Sequence, residues 1–141
     1  MTSKDNARSI VDQMMENDHF SRWLGIEILY VEEGRCSLQM TVRKEMLNGF
    51  GIAHGGISYA LADSALAFAS NSHGRKAVSI ETSISHLKPL KEGQKINAEA
   101  ELENLGNKIA TYHVKVNTDN NRLIASFKGT VYRTADEWNT K

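Results

Sequence analysis

Asn48-Gly-Phe-Gly-Ile-Ala-His-Gly-Gly-Ile-Ser-Tyr-Ala-Leu-Ala-Asp-Ser-Ala-Leu-Ala-Phe-Ala-Ser-Asn71 is the stretch that decides the fold. It opens as a glycine-rich loop, with Gly49, Gly51, Gly55 and Gly56, and continues as a helix whose only charge is Asp63. Between Ile57 and Ala69, positions 57, 60, 61, 62 and 65–69 are Ile, Ala, Leu or Phe, and Tyr59 adds a ring. A helix apolar nearly all round belongs in a core. Thirteen residues are too few for a membrane span, which needs about 20. The core helix therefore carries a carboxylate, and an unpaired ionised carboxylate in apolar surroundings is expensive.

The rest of the chain supplies what covers that helix. Its 141 residues suffice for one domain with a real core, here taken as 1–141. Lys plus Arg and Asp plus Glu are 17 each, so there is no basic excess of the kind a nucleic-acid footprint needs. The single Cys36 permits no internal disulfide and reads as an ordinary strand residue. No Cys and His residues stand at zinc spacing. No signal peptide and no apolar run of 18 residues is present, so the expectation is a soluble cytoplasmic protein with no membrane partner.

Residues 1–24 read as an N-terminal helical segment, capped by Thr2 or Ser3, with Ile10, Val11, Met14 and Met15 as its apolar stripe and Gly25 as its stop. Strands are predicted at 26–32 and 35–42 as a hairpin about Glu33-Gly34, then at 76–87, 94–103, 109–117 and 123–133. Residues 134–141 read as a polar tail, with Trp138 either docked or idle. The order is helix, two strands, buried helix, four strands. It fits an α+β fold in which one bent antiparallel sheet wraps the central helix. The edges of such a sheet invite a second copy.

Gly49-x-Gly-x-x-His54 is a poor dinucleotide loop, since a histidine replaces the third glycine and no parallel βαβ unit follows. The helix start is more informative. Gly55 and Gly56 offer backbone N–H groups without internal partners, which suit a developing oxyanion. Asp63 is the only base or nucleophile on the same helix. It lies eight residues past Gly55, about 12 Å along the axis. One chain cannot bridge that span. Two copies with antiparallel helices can, giving two equivalent sites in a symmetric dimer. Each of these residues also has a purely structural reading. Asp63 could be hydrogen-bonded by Ser or Thr neighbours, and His54 could satisfy the loop backbone. Asn48 could serve the Asn-Gly turn, and Ser79 could be a plain strand hydroxyl. The remaining histidines, His19, His73, His86 and His113, sit on separate elements and receive no chemistry.

The stretch resembles the hotdog-fold acyl-CoA thioesterases, in particular the PaaI-type branch of phenylacetate degradation. The matching residues are Asn48-Gly-x-Gly-x-x-His-Gly-Gly56, Leu61-Ala-Asp63-Ser-Ala-x-Ala-Phe68 and Asn71-Ser-x-Gly74, and the element order agrees along the whole chain. The resemblance implies a hotdog fold and a thioester hydrolase, a dimer that completes the site and a homotetramer of two dimers. It implies that Asp63 acts as general base or as nucleophile, and that the Gly55 N–H serves the oxyanion. His54 would support the loop and contact the thioester, Asn48 would orient the attacking water or the carboxylate across the dimer, and Ser79 would assist the same water. Coenzyme A is part of the substrate, and neither a metal nor another cofactor is expected.

Gly56, Tyr59 and Phe68 are candidates to line the substrate site. Lys88, Lys91 and Lys128, with Lys108 and Arg133, are candidates for the CoA phosphates, against the plain reading of solvated surface cations. The acyl group is expected to be aryl-acetyl or medium-chain. A non-catalytic acyl-CoA-binding module is the competing reading, but it would not need Asp63. A hotdog dehydratase would need a second acid-base group that the central stretch lacks.

Overall fold

The computed structural model describes residues 2–140; Met1 of the N-terminal segment and Lys141 of the tail lie outside them. Helix α1 (Ser3–Asn17) starts on a reciprocal cap, in which Thr2 Oγ1 accepts from the Asp5 N–H at 3.1 Å and the Thr2 N–H donates to Asp5 Oδ2 at 3.2 Å. The predicted single segment is two helices. Asp18 ends α1 and caps α2 (His19–Leu24), its Oδ1 accepting from the Ser21 N–H at 2.9 Å, and Gly25 stops α2 at φ +76°. A side chain that accepts from the following turn competes with the helix passing through it.

Strands β1 (Glu27–Glu32) and β2 (Arg35–Thr41) form the predicted hairpin around Gly34, whose φ is +81°. Helix α3 (Gly55–Asn71) follows, then β3 (Arg75–His86), β4 (Lys95–Leu105), β5 (Ile109–Thr118) and β6 (Leu123–Glu137). All neighbours are antiparallel in the order β1-β2-β4-β5-β6-β3, so β1 and β3 are the edges. Strand β6 runs past the predicted end at Arg133, because its last residues pair with the start of β3, Glu137 opposite Arg75. The tail is thus partly strand, and Trp138 is docked. Its backbone N–H donates to the Gly74 carbonyl at 2.8 Å and its Nε1–H to Asn71 Oδ1 at 2.9 Å.

One face of the sheet wraps α3, as the α+β hotdog resemblance implies. Alternate residues of β2, β4, β5 and β6 turn inward and are buried, among them Leu38, Met40, Ile96, Tyr112, Val114 and Phe127. They meet Leu61, Ala62, Ala65, Leu66, Phe68 and Ala69 of α3. Cys36 is in this core, its Sγ–H directed at the Ala65 carbonyl at 3.2 Å, and burial pushes its thiol up to about 12. Among the described residues no helix is long and apolar enough to cross a membrane.

Gly129 fixes how closely helix and sheet approach. A Cβ there would stand 2.4 Å from Leu66 Cδ2 and 3.0 Å from Cδ1, so the bare backbone of β6 is what lets α3 lie down. Overfilled cores force side chains and backbone apart. Gly129→Ala is therefore expected to destabilise the protein by about 1–3 kcal/mol. Urea denaturation reads this as an earlier midpoint, and an unchanged midpoint would mean that α3 has room to retreat.

Candidate active site

The glycine loop is built by Asn48. Its Oδ1 accepts from the N–H groups of Phe50 at 2.9 Å and Ile52 at 3.4 Å, its own N–H donates to the Ile52 carbonyl at 2.8 Å, and Gly51 turns the chain at φ +78°. The turn role of Asn48 therefore occupies its oxygen and leaves its Nδ2 group without a partner among the described residues. The loop is tied down by the Ala53 N–H on the Leu90 carbonyl and the His54 N–H on the Met46 carbonyl, both at 2.8 Å.

His54 is the N-cap of α3, its Nδ1 accepting from the Gly56 N–H at 2.8 Å. An imidazole that accepts at Nδ1 is neutral and carries its proton on Nε2. This bond occupies the Gly56 amide. The Gly55 N–H has no hydrogen-bond partner among the described residues. It faces a cavity of about 280 Å³ lined by Asn48, Gly55, Ser58, His86 and Lys88, among others. His86 is the residue that the sequence reading missed at this end. A Cβ on Gly55 would meet its Nε2 at 3.1 Å, and its Nδ1 is 3.3 Å from Ser58 Oγ. Strand alternation carries the signal, since His86 continues the row of Thr82 and Ile84, whose β6 partners Gly129 and Phe127 face the helix.

Asp63 lies elsewhere. It is half-buried between two cavities, one of about 400 Å³ with Gly56, Tyr59 and Phe20, the other of about 270 Å³ with Met14, Leu66, Asn71, Ser79 and Val131. Its carboxylate has no hydrogen bond and no ion pair among the described residues, and burial alone raises its pKa above 3.8. The neighbouring serine has the partners instead. Ser64 Oγ is 2.8 Å from Ser21 Oγ, which donates to Asp18 Oδ2 at 2.7 Å. The reading of Asp63 as a carboxylate held by Ser or Thr neighbours does not hold within this chain.

The structure thus sorts the expected residues into two groups. Asn48, Gly55 and Lys88 share one cavity, Asp63 and Ser79 another, and Gly55 and Asp63 share none. Gly56 and Tyr59 line the larger cleft at Asp63, where the Tyr59 hydroxyl bonds Thr82 and its ring meets Phe127 edge-on with centroids 5.4 Å apart.

Four of the expected residues lie apart from these cavities. Phe68 is fully buried in the core and forms no wall of these cavities. Lys128 alternates with inward Phe127 and Gly129, so it lies on the outer face of the sheet, 3.9 Å from Glu103. Lys91 is exposed and lines none of the three cavities, its backbone N–H on Gln94 Oε1 at 2.7 Å. Arg133 is engaged by the Gly106 carbonyl at 2.8 Å. Among the described residues, no group of three or more His, Cys, Asp or Glu could hold a metal ion.

Comparison with known proteins gives a consistent set. Residues 50–125 match the family model described as the thioesterase superfamily. A protein of Archaeoglobus fulgidus is 47% identical over 129 residues, which cover 92% of this chain and 84% of that one. The acyl-coenzyme A thioesterase PaaI of Escherichia coli is 36% identical over 120 residues, covering 85% of this chain and 86% of that one. The solved structure of the E. coli PaaI protein from the phenylacetic acid degradation operon superposes with a TM-score of 0.94 at 32% identity, covering 96% of this chain and 99% of that one.

The raised Asp63 pKa has a consequence for stability. The folded state keeps this proton to higher pH than the unfolded chain does. The contribution of this group to stability is therefore fully present below the ordinary carboxyl range and is lost as pH climbs from 3.8 to the raised value. Asp63→Asn removes that loss. The variant is expected to melt above the parent at neutral pH, with the gap closing in acid. Thermal unfolding across that pH range measures it, and a variant melting no higher than the parent at neutral pH would contradict the assignment.

Proposed function

The chain belongs to the thioesterase superfamily, and from that premise we propose that it hydrolyses acyl-CoA thioesters at a site completed by two copies of itself. One observation carries the reading. Among the described residues Asp63 is a half-buried carboxylate without a partner, and the Gly55 N–H, likewise without one, sits at the end of the same helix beside a different cavity. Neither half can act alone, and the straight helix between them cannot shorten. A second copy with its helix antiparallel brings each Asp63 to the other chain's Gly55.

Strand β3 is the edge through which that copy would add. Among the described residues it pairs only with β6, and its Val78 and Ile80 are each 58% exposed. It also carries Ser79 into the Asp63 cavity. An exposed apolar edge is a template for another strand.

In the proposed reaction Asp63 takes a proton from water as the water oxygen bonds to the thioester carbon. Direct attack by the carboxylate, through an anhydride, uses the same geometry. The carbonyl electron pair moves to oxygen, where the Gly55 N–H stabilises it, and returns as the C–S bond breaks and the thiolate of CoA leaves, taking up the proton that Asp63 removed from water. Ser79 beside Asp63 and the Nδ2 group of Asn48 orient the water, and His54 holds the helix start. One oxyanion donor supplies about 3–4 kcal/mol, and a positioned base roughly 10²–10⁴-fold. Burial tunes Asp63 toward the basicity that the task needs.

Coenzyme A enters as part of the substrate, and the proposed chemistry asks for no metal. Lys88 at the mouth of the Gly55 cavity is the cation placed to meet the CoA phosphates. The cavity of about 270 Å³ beside Asp63, with Met14, Leu66 and Val131 in its wall, suits an aryl-acetyl or medium-chain acyl group. The operon of the E. coli relative makes phenylacetyl-CoA the first ester to try. The reading has the protein act in the cytoplasm as a homotetramer of two such dimers.

Thiol release from acetyl-, hexanoyl-, palmitoyl-, benzoyl-, phenylacetyl- and hydroxyphenylacetyl-CoA tests the reading. Asp63→Asn is expected to lower turnover by at least roughly 10²-fold while leaving ester binding and the dimer intact. Hydrolysis by the variant at the parent rate would make Asp63 structural. Binding without release by the parent would make the protein an acyl-CoA-binding module. Full specific activity in a demonstrated monomer would refute the two-chain site.

A further inference from the structure

The helix start offers fewer donors than it has amides. A developing oxyanion at the N-terminus of α3 would ordinarily meet two successive backbone N–H groups. Here the Gly56 N–H is already bonded to His54 Nδ1 at 2.8 Å, which leaves Gly55 alone. A polar side chain stands beside Gly55. His86, the last residue of β3, faces the helix opposite Ala125 of β6, and its ring fills the space beside the Gly55 Cα.

The two ring nitrogens have different surroundings. Nδ1 is 3.3 Å from Ser58 Oγ, one turn into α3. Nε2 has no partner among the described residues, and the ring lines the cavity shared with Asn48, Gly55 and Lys88. Ser58 Oγ is also 3.3 Å from the Gly55 carbonyl, so its single proton can go to either acceptor. When it goes to Nδ1, the neutral ring carries its own proton on Nε2. The Nε2–H and the Gly55 N–H then belong to residues that line the same cavity, with Nε2 3.1 Å from where a Gly55 Cβ would stand.

We propose that His86 is the second oxyanion donor of this site, its Nε2–H joining the Gly55 N–H on the thioester oxygen, with Ser58 selecting the tautomer. The inference rests on the acyl-transfer reading given above. As the oxygen nucleophile bonds to the carbonyl carbon, the π pair moves to the carbonyl oxygen, which accepts both hydrogen bonds. The pair returns when the C–S bond breaks and the thiolate departs. The imidazole ends the cycle with the protons it began with.

The test compares His86→Phe, His86→Gln and Asp63→Asn on the ester that the parent hydrolyses fastest. His86 is exposed, so both substitutions fit the fold. The Phe variant keeps a ring and loses the donor; the Gln variant loses the ring and keeps an N–H. His86→Phe is expected to lower kcat by about 10²–10³-fold with KM changed by less than about threefold, and His86→Gln to recover most of the rate. A packing role predicts the opposite order, with Phe active and Gln impaired. An inactive Asp63→Asn together with His86→Phe at the parent rate would overturn the role of His86 alone. Asp63→Asn at the parent rate, or a parent that releases no thiol, would overturn the acyl-transfer reading and this inference with it.

Discussion

Everything in the structure answers to the need to cover α3. A helix apolar on all sides cannot rest on one surface. The sheet takes one side through β2, β3, β4, β5 and β6, while α1 and α2 take part of another. The small side chains of α3, and of β4 where Ala98 and Ala100 face it, keep the two layers close, and Gly129 removes the last obstruction. This packing makes α3 rigid. A packed helix holds groups at its start and at its middle a fixed distance apart, and the proposed reaction turns on that distance.

In the proposed reaction that fixed separation divides the site between two copies. A carboxylate in the middle of a buried helix gains basicity from its surroundings, and an amide at the helix start gains electrostatic strength from the dipole. The two advantages arise at different points along one rod. A single chain can have both, but it cannot bring both to one substrate. The proposed dimer resolves this through β3, the strand that carries Ser79 and ends at His86, which the sheet order leaves on an edge. The raised Asp63 pKa is the stability cost of the arrangement, borne by every copy.

The parts legible in the sequence are those governed by periodicity and by special residues. The apolar run of α3, its opening at Gly55, the hairpin at Gly34 and the four later strands all appear where the pattern put them. Long-range pairing is not written in period or spacing. Nothing local says that β3 crosses to the far side of β6, or that Glu137 extends β6 to meet Arg75. The apolar stripe of the first helical segment hid the break at Asp18, because the cap there is a side-chain bond rather than a change in pattern. Phe68 was set beside the substrate because a helix apolar all round gives no facing. His86 was passed over although alternation turns it inward, since only the fold brings the end of β3 to the start of α3.

The choice of cap at that start is itself informative. Asp, Asn, Ser and Thr are the side chains that best cap a helix. An Asp would place a negative charge at the very position where the proposed reaction generates another. His54 caps through a neutral ring nitrogen, and α3 has no acidic residue in its first turn. The positive end of the dipole is thus left uncancelled, although an acidic first turn would have stabilised the isolated helix. The cap also takes its bond from Gly56 and not from Gly55. The amide left open is the one beside His86, so a side chain from β3 meets the helix at the point where its own donors run short.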